Sequence, residues 1–295
     1  MPSKPASSVL PVMALLTGAT LWGVIWYPMR LLQSAGLNGI WLTLVLYVSA
    51  LAFSLPRTAS SWREFAKNPA LLSLLMLAGG WTNVAFIEAV LHGNILRILL
   101  LFYLSPLWAT LMGWIWLRER VSRYAMASLL LAMSGALLML WDPRAAAFWP
   151  QDTADWLAIS SGFAFALANV IVRKLDSVSI IAKSVSIWVG VILVAAVMIA
   201  ALRLPVPHTG AGVFAGAAAL GLFGILLMTL MVQYGVTHMP VYQSAVIMLF
   251  ELVAGALSQH LLTTEHVSAR DWAGGVLIVA GAYLSAREAK KVAPA

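Results

Sequence analysis

Apolar residues run in long stretches along this chain, and polar ones are confined to the short gaps between them. Ten stretches are long enough to be helices crossing a hydrocarbon core ~30 Å thick, which takes about 20 residues. They cover residues 9–30, 37–55, 69–91, 94–117 and 122–141, then 154–175, 179–202, 210–237, 240–262 and 268–287. Turn-forming punctuation separates them: Pro56-Arg57, Asn68-Pro69, Asp142-Pro143, Pro205-Val206-Pro207 and Met239-Pro240. Residues 142–153 form the one real linker, which divides the chain into 1–145 and 146–295.

The two halves repeat each other. An offset of 146 residues places His92 on His238, Glu119-Arg120-Val121-Ser122 on Glu265-His266-Val267-Ser268, and Gly135-Ala136 on Gly281-Ala282. An offset of 144 places Gly18 on Gly162 and Arg30 on Lys174. Five crossings per half is an odd number, so the second copy enters the bilayer from the opposite side. The expected fold is therefore an all-α integral membrane protein, ten transmembrane helices forming two inverted five-helix repeats around a central cavity. Inverted repeats about a midplane site are how many secondary transporters open alternately to the two faces.

Composition agrees with this class. Of 295 residues, 62% are hydrophobic and 10% charged, against roughly 25% charged in soluble domains. The absence of Cys excludes disulfides and thiolate metal sites. The net charge of +7 comes with no basic patch interleaved with exposed aromatics, so nucleic acid is not an expected partner. Lys and Arg instead set orientation. With both termini cytoplasmic, 13 of the 18 lie inside, leaving Arg30, Arg97, Arg144, Arg203 and Arg270 outside. Lys4 before an apolar run resembles the start of a signal peptide, but the run continues to Trp26 and has a partner in the second half.

The five-span duplication, and the passage from Tyr103-Leu104-Ser105-Pro106 through Trp116-Leu117-Arg118-Glu119-Arg120-Val121-Ser122 into the Gly135 span, resemble the drug/metabolite transporter superfamily with paired EamA-type repeats. The resemblance covers nearly the whole chain. It implies a multi-pass carrier of small metabolites in the cell inner membrane, with spans one, three, four, six, eight and nine lining the cavity. Its general character is closest to amino acid exporters, including the aromatic amino acid exporter type. In span nine the first half's Ser105-Pro106 is matched by Glu251-Leu252, so the kink that Pro106 implies is expected in the first half and not in the second.

Ionisable groups in a bilayer cost roughly 2.5–3.5 kcal/mol each on insertion scales, so each needs a partner or a purpose. Glu88, near the end of span three, and Arg97, early in span four, are expected at similar depth, either as an ion pair tying two helices or as a charged outer gate. Glu251 lies near the middle of span nine with no basic residue at its depth. Ser244, Met248, Ala254, Gly255 and Ser258 surround it at helical spacing, a small and partly polar stripe that turns inward. It is either a helix-packing carboxyl or a site for a solute's amine or a proton. Asn83, Tyr103, Ser105 and Asn169 are the neutral polar candidates, each a helix bridge or a solute contact. Trp22, Trp26 and Trp81 are candidate apolar walls, with lipid-facing or packed positions as the alternative.

No catalytic constellation is present: the chain has no His-Glu-x-x-His, no Gly-x-Ser-x-Gly and no phosphate-binding Gly-x-x-x-x-Gly-Lys-Ser/Thr loop. No metal site or cofactor is expected. The partners expected are a small solute and membrane lipid, with the monomer as the working unit. A channel-like or scramblase-like conduit is the first alternative and a membrane-embedded enzyme the second. No Lys or Arg lies deep in the spans, which disfavours phosphorylated sugars.

Overall fold

The computed structural model describes residues 9–54, 61–92, 95–141, 150–263 and 267–292. Each of the ten expected spans is helical over most of its described length, with no strand among the described residues. The first crossing is α1 (Val9–Val24) continued by α2 (Trp26–Ser34), and the second is α3 (Gly39–Ser54). The short α4 (Ser61–Lys67) leads into α5 (Pro69–His92), the third crossing. α6 (Ile95–Phe102) with α7 (Ser105–Trp116) makes the fourth, and α8 (Arg123–Leu140) the fifth. In the second half, α9 (Thr153–Lys174) and α10 (Ile180–Ala201) are uninterrupted. α11 (Ala211–Ala219) runs through a π-helical turn at Leu220–Ile225 into α12 (Leu226–His238). α13 (Val241–Met248) with α14 (Phe250–Leu262), then α15 (Ala269–Val292), complete the bundle.

Eight of these units are both long and apolar enough to cross a membrane. The other two expected spans depart from the pattern for different reasons. α3 has 16 residues, about 24 Å at 1.5 Å per residue, which is short for the core. α15 has 24 residues, but Arg270, Asp271, Arg287 and three more charged positions crowd its ends.

The helix pairing is symmetric under exchange of the halves. α5 packs on α10, and its counterparts α11 and the π turn pack on α3. α5 packs on α9 as α12 packs on α1, and α6 and α7 pack on α9 as α13 and α14 pack on α1. α8 and α15, the last helix of each half, pack on one another. Small residues permit these approaches. A Cβ on Gly190 would collide with the Met76 carbonyl, and one on Gly135 would collide with Gly274 and Ile278. The equivalent His92 and His238 each place Nδ1 within hydrogen-bond distance of the carbonyl four residues back, Glu88 at 2.9 Å and Tyr234 at 2.7 Å. They are scaffold features of the repeat.

The missing-kink expectation for span nine is corrected by the structure. The fourth crossing breaks at Tyr103-Leu104 and the ninth at Leu249, the corresponding place, although no proline is there. Both breaks are tightened by i→i+3 bonds: Leu104 N to Leu101 O at 3.3 Å, and Leu249 N to Val246 O at 3.2 Å. Proline is thus dispensable. At Gly23 of α1 the backbone of Glu251 and Gly255 approaches too closely for a Cβ, which fixes the second break by packing. Glu265, His266 and the repeat boundary at 145–146 lie outside the described residues.

Candidate functional site

The breaks at Tyr103-Leu104 and Leu249 border one partly open cavity of about 160 Å³. Drug-sized ligands occupy pockets of roughly 300–1,000 Å³, so this space fits a small metabolite. Its wall comes from the six spans that the family resemblance implies, joined by Tyr47 of α3 and Ile187 of α10. A second, more open depression, lined by Trp114, Ile115, Arg118 and Arg120, is a surface feature at one end of the bundle.

Six of the eight candidate binding residues meet in the cavity: Trp22, Asn83, Tyr103, Ser105, Asn169 and Glu251. Glu251 stands in the first turn of α14, at the helix break, and receives a hydrogen bond from the Tyr103 hydroxyl. Asn83 is already engaged. Its Oδ1 accepts from the Tyr47 hydroxyl at 2.9 Å, and its Nδ2 donates to the Gly79 carbonyl at 3.0 Å. Phe86, Phe102 and Phe165 supply the apolar wall, with ring centroids 4.8 and 5.5 Å apart for the pairs that Phe102 makes with Phe86 and Phe165.

Trp26 and Trp81 lie elsewhere. The Trp26 indole N–H donates to Ser258 Oγ at 2.9 Å, and Ser258 in turn bonds the Gly23 carbonyl at 3.0 Å, so Trp26 belongs to the α1–α14 seam. Trp81 is 41% exposed and donates to Ser160 Oγ at 3.1 Å on the outer surface. In α5 the cavity-facing set is Gly79, Thr82, Asn83 and Phe86, and Trp81 is out of phase with it.

The two gate candidates also have other neighbours. Arg97 Nε donates to both carboxylate oxygens of Asp155, at 2.7 and 2.9 Å, while Glu88 lies 3.6 Å from His92. Asp155 is 1% exposed, and its Oδ2 also accepts the Gln151 amide at 2.7 Å. It lies in the first turn of α9, where its own amide donates to the capping side chain of Asp152 at 2.9 Å. The other end of α9 is held as well. Arg173 donates to the Thr237 carbonyl at 2.6 Å and lies 3.5 Å from Glu119, whose other oxygen accepts the Val241 amide at 2.9 Å. Glu119 sits in the α7–α8 connection, where burial pushes its carboxyl above the usual carboxylate range against the opposing pull of Val241 and Arg173. Lys183 is wholly buried, its ammonium on Thr237 Oγ1 at 2.7 Å and the Leu175 carbonyl at 2.9 Å.

The sequence pattern did not single out Asp155 or Lys183. The available signal was positional: each falls inside an expected span, 154–175 and 179–202, and so needed a partner. Nor did the pattern single out Gln233, which lines the cavity from α12. Among the described lining residues Glu251 is the one carboxylate, and Lys, Arg and His are absent. No cluster of potential metal ligands occurs among the described residues.

The model of the EamA-like transporter family matches this chain twice, over residues 9–141 and 153–287. Protein RarD of Salmonella typhi and that of Salmonella typhimurium are each 25% identical to it over 172 residues, covering 56% of this chain. The chain spans about half the length of these two relatives, 55% of each. A solved structure, described as a crystal structure of protein, shares the fold with a TM-score of 0.74 and 18% identity, over 99% of this chain and 100% of that one.

Proposed function

The chain belongs to the EamA-like transporter family, a multi-pass membrane protein that carries small solutes, and from that premise we propose that it is an amino acid carrier of the cell inner membrane. It works by alternating access about the cavity, without cofactor or metal, as a monomer whose ten helices enclose the path. Export is the direction that the family resemblance supports. The carrying observation is the cavity itself: about 160 Å³, walled by Trp22 and three phenylalanines, with Asn169 and Ser105 as neutral polar contacts and Glu251 as its carboxylate. Such a space suits a zwitterion with an apolar or aromatic side chain, and the lack of a cation among the described wall residues disfavours phosphate esters.

The test is uptake into proteoliposomes against a panel of amino acids and one sugar phosphate, with and without an imposed pH difference. Saturable uptake of apolar or aromatic amino acids is expected, with none of the sugar phosphate. Sugar phosphate transport without transport of any amino acid would overturn the reading.

Both termini lie in the cytoplasm in this proposal, because that arrangement places 13 of 18 basic residues inside. Accessibility tags at the termini and between residues 57 and 68 should then report the cytoplasm, and a tag within 142–153 the outside. A tag in 142–153 that reports the cytoplasm would reverse the orientation.

A further inference from the structure

Gln233 is held in α12 in an unusual state. The residue is 4% exposed, yet its Oε1 has no hydrogen-bond partner among the described residues, and it lines the central cavity. Buried amide oxygens are nearly always paired, because leaving one unmade is costly. Packing does not call for the amide here. The residue that corresponds to it 146 positions earlier is Ile87, so the repeat scaffold accepts an apolar side chain at this place. The neighbouring hydroxyls bond elsewhere: Thr229 accepts the Trp188 indole N–H at 3.2 Å, and the Thr237 hydroxyl donates to the Gln233 backbone carbonyl at 2.6 Å.

The second cavity acceptor is Glu251. α12 and α14 both pack on α1, which carries Trp22 into the same cavity. The wall thus offers the unpaired amide oxygen and a carboxyl, beside the Asn169 amide and the Ser105 hydroxyl, which can each donate or accept, together with aromatic rings and no described cation. An ammonium group brings three donors and one positive charge, and aromatic faces favour it. A solute carboxylate meets only neutral donors there, such as Asn169 and Ser105.

We propose that Gln233 Oε1 and the Glu251 carboxyl together hold the solute's ammonium group, so that the carrier selects on the amine and not on the carboxylate. This rests on the amino acid carrier reading and specifies which part of the solute is recognised. An amine with the same apolar side chain but no carboxylate occupies the site. The matching acid without the amine is excluded, because it would place a second anion beside Glu251.

The experiment is counterflow of labelled phenylalanine in proteoliposomes, challenged with unlabelled phenethylamine or 3-phenylpropionate. Phenethylamine is expected to compete about as well as unlabelled phenylalanine, and 3-phenylpropionate not at all. Gln233→Leu keeps the volume and removes the acceptor, so KM for phenylalanine should rise about tenfold, the loss of one charge-assisted hydrogen bond. Its unfolding midpoint should stay level or rise, since an unpaired buried oxygen has been removed. Gln233→Met removes the same acceptor with an uncharged side chain of similar volume and should raise KM alike, which keeps the test informative if the leucine variant is poorly made. Competition by the acid equal to that by the amine would overturn the proposal. So would an unchanged KM in Gln233→Leu, and a lowered midpoint beside that KM would make Gln233 a structural residue. If the parent gives no counterflow of any amino acid, the carrier reading itself fails, a result distinct from either.

Discussion

Glu251→Gln is expected to insert, purify and unfold like the parent while transport falls about 10- to 100-fold, the range set by losing a hydrogen bond to a charged group worth roughly 1.5–3 kcal/mol. The substitution preserves volume and leaves an oxygen to accept from the Tyr103 hydroxyl, so the local packing of α14 on α1 has no reason to change. What disappears is the cavity's one described carboxylate. Initial rates measured between about pH 5.5 and 8 separate its two possible tasks. A residue that binds the amine loses rate at every pH when substituted, whereas one that exchanges a proton also loses the pH dependence of the rate. Equal rates for variant and parent across that range would make Glu251 a packing group.

The largest effect on stability is expected at Asp155. Its carboxylate is 1% exposed and accepts both from Arg97 and from the Gln151 amide. Breaking a buried pair by removing one partner typically costs about 3–5 kcal/mol. Asp155→Asn should therefore lower unfolding stability by that order in detergent titrations. Glu64→Gln is the comparison: Glu64 makes a single bond to the Ser179 amide at an exposed position, and its loss should cost about 1 kcal/mol or less. The contrast follows from solvent, since water replaces an exposed partner and cannot reach a buried one. An Asp155→Asn protein that unfolds with the parent would show that Arg97 and Asp155 contribute little to holding α6 on α9.

Asp155 also has a structural consequence for the site. α9 carries Phe165 and Asn169 into the cavity, and it is fastened at one end through Asp155 and Arg97 and at the other through Arg173 with Thr237 and Glu119. Each fastening joins the two halves of the chain, because Arg97 and Glu119 belong to the first half and Asp155 and Arg173 to the second. A helix that lines the cavity is thus tied to the opposite repeat at both of its ends.

Much of this architecture was legible in the chain itself. Apolar run length determined the helices, because a bilayer admits only backbone that satisfies its own hydrogen bonds. The self-alignment determined the repeat, and the matching His92 and His238 contacts follow from it. Glu251, Asn169, Tyr103 and Ser105 could be singled out because a polar residue in mid-span needs a reason to be there.

Other features were decided by the tertiary structure alone. The same rule applied to Trp22, Trp26 and Trp81 gave no way to know which indole faces the cavity. Trp26 is held in the α1–α14 seam by its bond to Ser258, and Trp81 turns outward because the cavity-facing phase of α5 is set by its neighbours. Arg97 is bound by Asp155, 58 residues away in sequence, a juxtaposition that no local pattern encodes. Gln233 gave no signal either, since a glutamine in a long apolar helix looks the same whether its amide is paired or bare. Hydropathy and periodicity report on a residue and its neighbours along the helix, whereas pairing depends on what the other helices bring against it, and that is set only when the bundle closes.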